Sequence, residues 1–271
     1  METRIARVRQ SRAKKVTEHV VRGRNRNLRE ARISEFTEYA DGSGYAEGLL
    51  KILKIEPEWT VLDVACAGGT LAIPLASRVK SVTAMDHSRE MLDLLEERCA
   101  ERSIKNISPV RGWWDDNWSA LKIGVHDVAI ASRSLGSHDL LDSVMKLNRV
   151  ARKQVYISQC VGDGPFDRRI YEATGRKLEM GPSYTHIYYN LLYQHMGILA
   201  NIAFVREDYA NDWASHEEAV EAQKWMFQDL TEAEEDKLRA FMKEHLLRVD
   251  GRWRLPYEMQ CNWAIMWWEK E

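Results

Sequence analysis

The stretch TVLDVACAGGT, residues 60–70, decides the fold. Its first half is a short apolar run carrying one acid, Asp63. Its second half, Ala65-Cys66-Ala67-Gly68-Gly69, holds only small residues. This reads as a buried strand that runs into a tight turn and then a helix. Small side chains let a ligand approach the backbone closely, and a helix start presents free N–H groups. TLAIPLASRV (70–79) reads as that helix, with Pro74 near its first turn, where a missing N–H costs least.

The same alternation continues outward. SVTAMD (81–86) reads as a second strand ending on Asp86, 17 residues beyond Gly69. A carboxylate there can accept both hydroxyls of a ribose, which suits NAD, FAD or S-adenosylmethionine. SREMLDLLEERCAER (88–102) reads as a helix, with Ser88 as N-cap and Glu90 in the first turn. NISPVRG (106–112) predicts a third strand, and Pro109 makes it irregular or an edge. HDVAIASRS (126–134), DLLDSVMKLNRVAR (139–152) and QVYISQC (154–160) predict a strand, a helix and a fifth strand. Strands and helices in alternation imply a parallel, doubly wound sheet, which binds ligands beyond the carboxyl ends of its strands.

After residue 160 the regularity changes. PSYTHIYYNLLYQHMG (182–197) predicts an aromatic-rich helix and ILANIAFV (198–205) a strand. Residues 207–256 predict two charged amphipathic helices, around 216–230 and 231–247, and CNWAIMWWE (261–269) a last strand. The expected domains are an N-terminal helical cap with a basic arm (1–55), a Rossmann-like domain (56–206 and 257–271) and a helical insertion (207–256).

Bulk properties narrow the class. The 271 residues are 45% hydrophobic and 30% charged, with no run near the roughly 20 apolar residues of a membrane span. The N-terminus has no apolar signal region, so a cytoplasmic location is expected and an Arg-rich transit peptide is the lesser reading. Cysteines 66, 99, 160 and 261 form no CxxC pair; reduced thiols and no metal site are expected. Residues 1–33 carry eleven Lys or Arg against three Glu, while the remainder is net acidic. Such an arm binds nucleic acid or lies as a solvated helix; no aromatic residues interleave with its charges as stacking platforms.

At Asp63-Val64-Ala65-Cys66-Ala67-Gly68-Gly69 the chain resembles the class I S-adenosylmethionine-dependent methyltransferases, whose first motif is an apolar strand followed by Asp/Glu-x-Gly-x-Gly-x-Gly. Alanine stands at the first two glycine places and Gly69 at the third. Ala67 must therefore avoid positive φ or carry strain, with Gly68 expected to take over the flexible position. SVTAMDHSREML resembles the second motif and HDVAIASRSL the fourth strand, so the resemblance covers roughly residues 40–160. The GxGxxG of a competing NAD dehydrogenase is absent.

The resemblance implies a mainly parallel seven-stranded sheet with an antiparallel edge strand, and S-adenosylmethionine as cofactor, with S-adenosylhomocysteine as product. It implies a cofactor site of Tyr39, Asp63, Ala65, Cys66, Gly68, Gly69, Asp86, His87, Met91, Trp113, Trp114, Asp115 and Ser132. Within RGWWDDNW (111–118), Asp115, or second Asp116, would accept the adenine amine, while Trp113 or Trp114 packs on the ring. His87 would meet the other adenine face or lie on the surface. Tyr39 and Tyr45 fall where related enzymes close over the methionine end.

Methyl transfer from a sulfonium is an in-line displacement that positioning and desolvation can drive, so no universal catalytic residue is implied. The candidates are Arg133 and His138 near the fourth-strand end, with Arg133 a possible clamp for an acidic substrate, and His186 and Tyr189 on the later helix. His186, Tyr189 and Tyr193 share one face of that helix, which lines a pocket or packs on the sheet. The Asn/Asp-Pro-Pro-aromatic motif of amino-methylating nucleic-acid enzymes is absent; Ala131-Ser132-Arg133-Ser134 stands there. The expected reaction is methyl transfer to a small molecule. The alternatives are an RNA- or protein-directed methyltransferase anchored by the basic arm, or a non-catalytic cofactor-binding partner subunit.

Overall fold

The computed structural model describes residues 44–135, 139–178, 184–208, 211–227 and 229–270, with Tyr184 as backbone only. Tyr39, His138 and the basic arm lie outside the described residues. The described chain opens with α1 (Tyr45–Ile52), which buries Tyr45, Ala46, Leu49 and Leu50 on one face. Then come β1 (Thr60–Val64), α2 (Ala72–Ala76), β2 (Ser81–Asp86), α3 (Arg89–Glu101), β3 (Ile107–Arg111), β4 (His126–Ala131), α4 (Leu140–Val150) and β5 (Ala151–Val161). The later elements are α5 (Arg168–Ala173), α6 (Tyr184–Met196), β6 (Asn201–Asp208), α7 (His216–Glu221), a 3₁₀ turn (Lys224–Met226), α8 (Glu232–His245), β7 (Leu247–Val249), β8 (Arg252–Arg254) and β9 (Gln260–Glu269).

Seven strands form a mixed, mostly parallel sheet in the order β3-β2-β1-β4-β5-β9-β6. The pairs β1–β2, β2–β3, β1–β4 and β4–β5 are parallel. The chain steps outward from β1 through β2 to β3, then returns to place β4 on the other side of β1. Strand order therefore reverses between β1 and β4, which opens a crevice at their carboxyl ends. β4 lies in the sheet interior and is buried along its whole length. β3 is the edge, and its half-exposed register accommodates Pro109, which has no N–H to give a neighbour.

Several boundaries differ from the sequence expectation for local reasons. β1 stops at Val64 because Ala65 turns the chain with φ 58°. α2 spans only Ala72–Ala76, since the preceding turn runs through Leu71 and Ser77 begins the turn into β2. The region 207–256 is less helical than its charge pattern suggests, because Leu247–Arg254 forms an antiparallel hairpin. Its turn residues Asp250 and Gly251 both have positive φ, 50° and 82°. The Asp-Gly pair was the available signal, being the combination that tolerates two left-handed residues in a two-residue turn.

The chain divides into two compact units. One comprises the described parts of 1–159, 185–205 and 264–271; the other comprises those of 160–184 and 206–263. The expected insertion thus belongs to a larger unit that also takes the segment after β5. That unit has its own core, in which Ile170, Trp213, Val220, Phe227, Leu238, Met242 and Leu255 are buried together. Its longest helix, α8, starts at a capping box formed by Thr231 and Glu234. Among the described residues no helix is long and apolar enough to cross a membrane.

In the first unit α1 packs on β6 through Gly48, where an added Cβ would stand 2.5 Å from Val205 Cγ1. Alanine normally favours a helix interior by about 1 kcal/mol over glycine. Here that collision reverses the sign. Gly48→Ala is expected to destabilise by about 1–3 kcal/mol in urea unfolding, the range of an overpacked core. Adding Val205→Ala should recover part of that loss relative to Val205→Ala alone; simple additivity would refute the contact.

Candidate active site

The small-residue turn after β1 takes its shape from three left-handed residues: Ala65 (φ 58°), Ala67 (φ 48°) and Gly69 (φ 89°). Gly68, expected to supply the flexibility, is not among the residues with positive φ. The alanines instead carry the strain, on the order of 1–2 kcal/mol each. Neighbouring bonds hold them there. Cys66 N–H donates to Met85 O at 3.0 Å, and Ala67 N–H donates to Asp86 Oδ2 at 2.9 Å. Arg98 from α3 donates to Gly68 O at 2.5 Å. Gly69 is also closely packed: a Cβ there would lie 2.5 Å from Leu95 Cδ1, so that leucine would have to shift. Burial pushes the Cys66 thiol well above its ordinary value, so this residue offers backbone and not a thiolate.

Two buried carboxylates stand at adjacent strands. Asp86 ends β2; its Oδ2 takes the Ala67 N–H and its Oδ1 takes the Ser88 N–H, each at 2.9 Å. Ser88 Oγ caps α3 by accepting the N–H of buried Met91. Asp63 on β1 is 2% exposed, and its Oδ2 has no hydrogen-bond partner among the described residues. Burial first, and the nearby Asp86 charge second, raise its carboxyl to about 7.

The RGWWDDNW segment is a corner at the end of β3, and its tryptophans separate by environment. Trp114 is fully buried, its indole N–H donating to Ser134 O at 3.0 Å, and Trp118 packs beside it. This corrects the expectation that Trp114 is a wall residue: it is core. Trp113 is half-buried, its ring centroid 4.5 Å from that of His87. His87 Nδ1 in turn lies 3.2 Å from Asp86 Oδ1. Asp116 braces the corner by accepting the Trp113 N–H at 2.8 Å; both Asp115 and Asp116 are exposed. Lys146 of α4, which sequence reasoning missed, donates to Trp114 O at 2.6 Å and pins the corner from below. Gly112 is tight: a Cβ would meet Leu121 Cδ1 at 2.4 Å.

A methyltransferase domain matches residues 61–154, the span from β1 into β5 that builds this turn, both carboxylates and the corner. An uncharacterized protein of Haemophilus influenzae is 31% identical over 227 residues, covering 83% of this chain and 82% of its own. The fold is shared with the BH2331 protein of Bacillus halodurans (TM-score 0.55, 15% identity, 83% of this chain and 98% of that one). It is shared also with the YcgJ protein of Bacillus subtilis (TM-score 0.54, 12% identity, 84% and 98%). The chain carries a methyltransferase domain on the Rossmann-like fold that these structures share.

In this methyltransferase the remaining candidates gather after β4. Ser132 Oγ lies 2.8 Å from the Tyr45 hydroxyl, which lies 2.6 Å from Ser158 Oγ. Ser158 also accepts the Arg133 N–H at 2.8 Å, and Ser134 Oγ donates to Val64 O at 3.1 Å. Ser158 was missed; its signal was a serine inside the buried run of β5. The α6 face predicted for a pocket is the solvent side of that helix. His186 is exposed and accepts from Asn190, Tyr193 is 50% exposed and Tyr189 is half-buried. The packed side is Tyr188 and Leu192, with the Tyr188 hydroxyl donating to Leu135 O.

Asp63 makes the methyltransferase sensitive to pH. Its folded carboxyl titrates at about 7, above the ordinary 3.8, so its protonated form is the one folding favours. That contribution is full below about pH 4 and is lost as pH rises through 7. In urea unfolding without cofactor, wild type should lose up to about 1.4 kcal/mol per pH unit relative to Asp63→Asn across that window. Parallel pH profiles for the two proteins would refute it.

Proposed function

We propose that this methyltransferase moves a methyl group from S-adenosylmethionine to a small-molecule acceptor, with positioning and desolvation supplying the acceleration. One observation carries the cofactor geometry: the orphaned Asp63 Oδ2 beside the backbone-bonded Asp86 carboxylate. A buried acceptor with no partner calls for a donor from a ligand. The α-ammonium of the cofactor's methionine part is such a donor, and it carries the charge that would hold Asp63 ionised. Each Asp86 oxygen accepts one backbone N–H and retains capacity for a ribose hydroxyl.

The other assignments follow from place. Ala65, Cys66, Gly68 and Gly69 offer backbone at the strained turn, with Met91 buried behind them in the first turn of α3. Trp113 and His87 form the adenine wall. By its place in the corner Asp115 is the acceptor for the adenine amine, with Asp116, which takes the Trp113 N–H, second. When bound, the cofactor supplies an activated methyl group on a sulfonium. The protein's part is to orient it, exclude water, and present the acceptor in line.

A small-molecule acceptor is favoured by Ala131-Ser132-Arg133-Ser134 at the end of β4, where nucleobase-amine enzymes carry prolines and an aromatic. An RNA substrate anchored by residues 1–33 would instead show affinity for RNA that collapses with salt and with deletion of that arm. Asp86→Ala should weaken S-adenosylhomocysteine binding by about 1.5–3 kcal/mol in calorimetry, the scale of hydrogen bonds to a charged group. Unchanged affinity would remove the ribose assignment. S-adenosylmethionine should bind more tightly as pH rises through about 7, because Asp63 must ionise to pair with the ammonium, and this dependence should vanish in Asp63→Asn.

A further inference from the structure

We infer that Lys146 is a positioning residue that sets the enzyme's preference for a cofactor carrying the adenine base; this rests on the cofactor reading above, in which the corner at residues 111–118 meets that ring. Among the described residues β3 is the edge of the sheet, so the corner that follows it has no outer strand to take its backbone groups. Side chains take them instead. Asp116 accepts the Trp113 N–H at 2.8 Å, and the Trp118 indole N–H donates to Trp113 O at 2.9 Å. Both bonds lie inside the corner, so they fix its shape and not its place.

Its place comes from ties to other elements. The Gly112 N–H donates to Asp86 O at 2.9 Å, and the Trp114 indole N–H donates to Ser134 O at 3.0 Å. Lys146, from α4, supplies a tie beyond Trp114. Its ammonium donates to Trp114 O at 2.6 Å and to Asp116 O at 3.4 Å, which holds the backbone on either side of residue 115.

The ammonium is built into this position. The side chain is 19% exposed, and its three N–H donors match three partners: the two carbonyls and Asp142 Oδ2 at 3.1 Å. The ion pair with Asp142, one turn back on α4, does not need the ammonium to leave water, and exposed pairs of that kind contribute little. What the inward position adds is the two carbonyls. Nζ also lies 5.9 Å from the ring centroid of Trp118, which packs against Trp114. The helix behind it is firmly seated, burying Ser143, Val144 and Leu147. One side chain thus carries the rigidity of a packed helix to the corner.

Trp113 is the residue this arrangement orients. Its N–H and its carbonyl are both bonded, and its ring centroid stands 4.5 Å from that of His87. Stacking on a flat base weakens when the ring tilts or slides, and hydrogen bonds to a base edge are directional. A corner released by loss of Lys146 would leave the turn after β1 and Asp86 in place, with the ribose and methionine contacts proposed for them. It would lose only the base.

The test titrates the full chain by calorimetry with S-adenosylhomocysteine and with S-ribosylhomocysteine, which lacks the base. Wild type should bind the first at least tenfold more tightly. Lys146→Met, which keeps most of the stem, and Lys146→Ala should lose most of that preference: S-adenosylhomocysteine weakens severalfold while S-ribosylhomocysteine stays within twofold. The affinity for S-ribosylhomocysteine also reports folding of each variant. Asp142→Asn removes the ion pair, leaves both carbonyl bonds, and should keep the preference. Equal weakening of both ligands in the two Lys146 variants, or no change in either, would overturn the inference. So would an Asp142→Asn variant that loses as much preference as Lys146→Met. If wild type binds both ligands equally, the adenine assignment of the corner falls and the role of Lys146 with it. If wild type binds neither, the cofactor reading itself falls.

Discussion

The hydrogen bond from the Ala67 N–H to Asp86 Oδ2 joins the two motifs on which the site is built. It crosses from the turn after β1 to the end of β2 and holds an alanine in a left-handed conformation. The second oxygen of the same carboxylate fixes Ser88, which caps α3. One buried carboxyl group therefore shapes the turn and the helix start together. Such a group is costly to bury, and the backbone donors offset that cost.

That economy has a consequence for Asp63. Burial first and the neighbouring Asp86 second raise the Asp63 carboxyl, whose Oδ2 finds no matching donor among the described residues, so its proton is retained toward neutral pH. The proposed cationic, hydroxyl-bearing ligand would supply the donors that the turn and its acids lack. A structural ion-pair network would have closed on itself. The alanines at the family's glycine places fit the same picture. Their strain is sustained by Asp86, Met85 and Arg98, so the motif survives without its usual residues.

Much of this was legible along the chain. β2 and the N-cap Ser88 follow from local pattern, because a short apolar run and a serine before an acidic first turn have one favourable arrangement each. The edge position of β3 follows from Pro109. The fate of the tryptophans was not legible. Trp113 and Trp114 are neighbours with the same chemistry, and the packing of Trp118 and the reach of Lys146 bury one while the other stays half-buried beside His87. The aromatic face of α6 misled for a related reason. Periodicity finds faces, but which face packs depends on the surface it meets, and here Tyr188 and Leu192 meet it.

The sequence by itself determined the alternation of strands and helices from β1 to β5, the two acids at consecutive strand ends, and the family they resemble, because these depend on spacing and on what each residue can bury. The tertiary structure alone decided where strand order reverses and what meets there. Tyr45, Ser132 and Ser158 are 87 and 113 residues apart from one another along the chain, measured from the tyrosine, and no local rule connects them. They converge because α1 packs against the carboxyl ends of β4 and β5, and that convergence gives Arg133 its strained backbone and its fixed place.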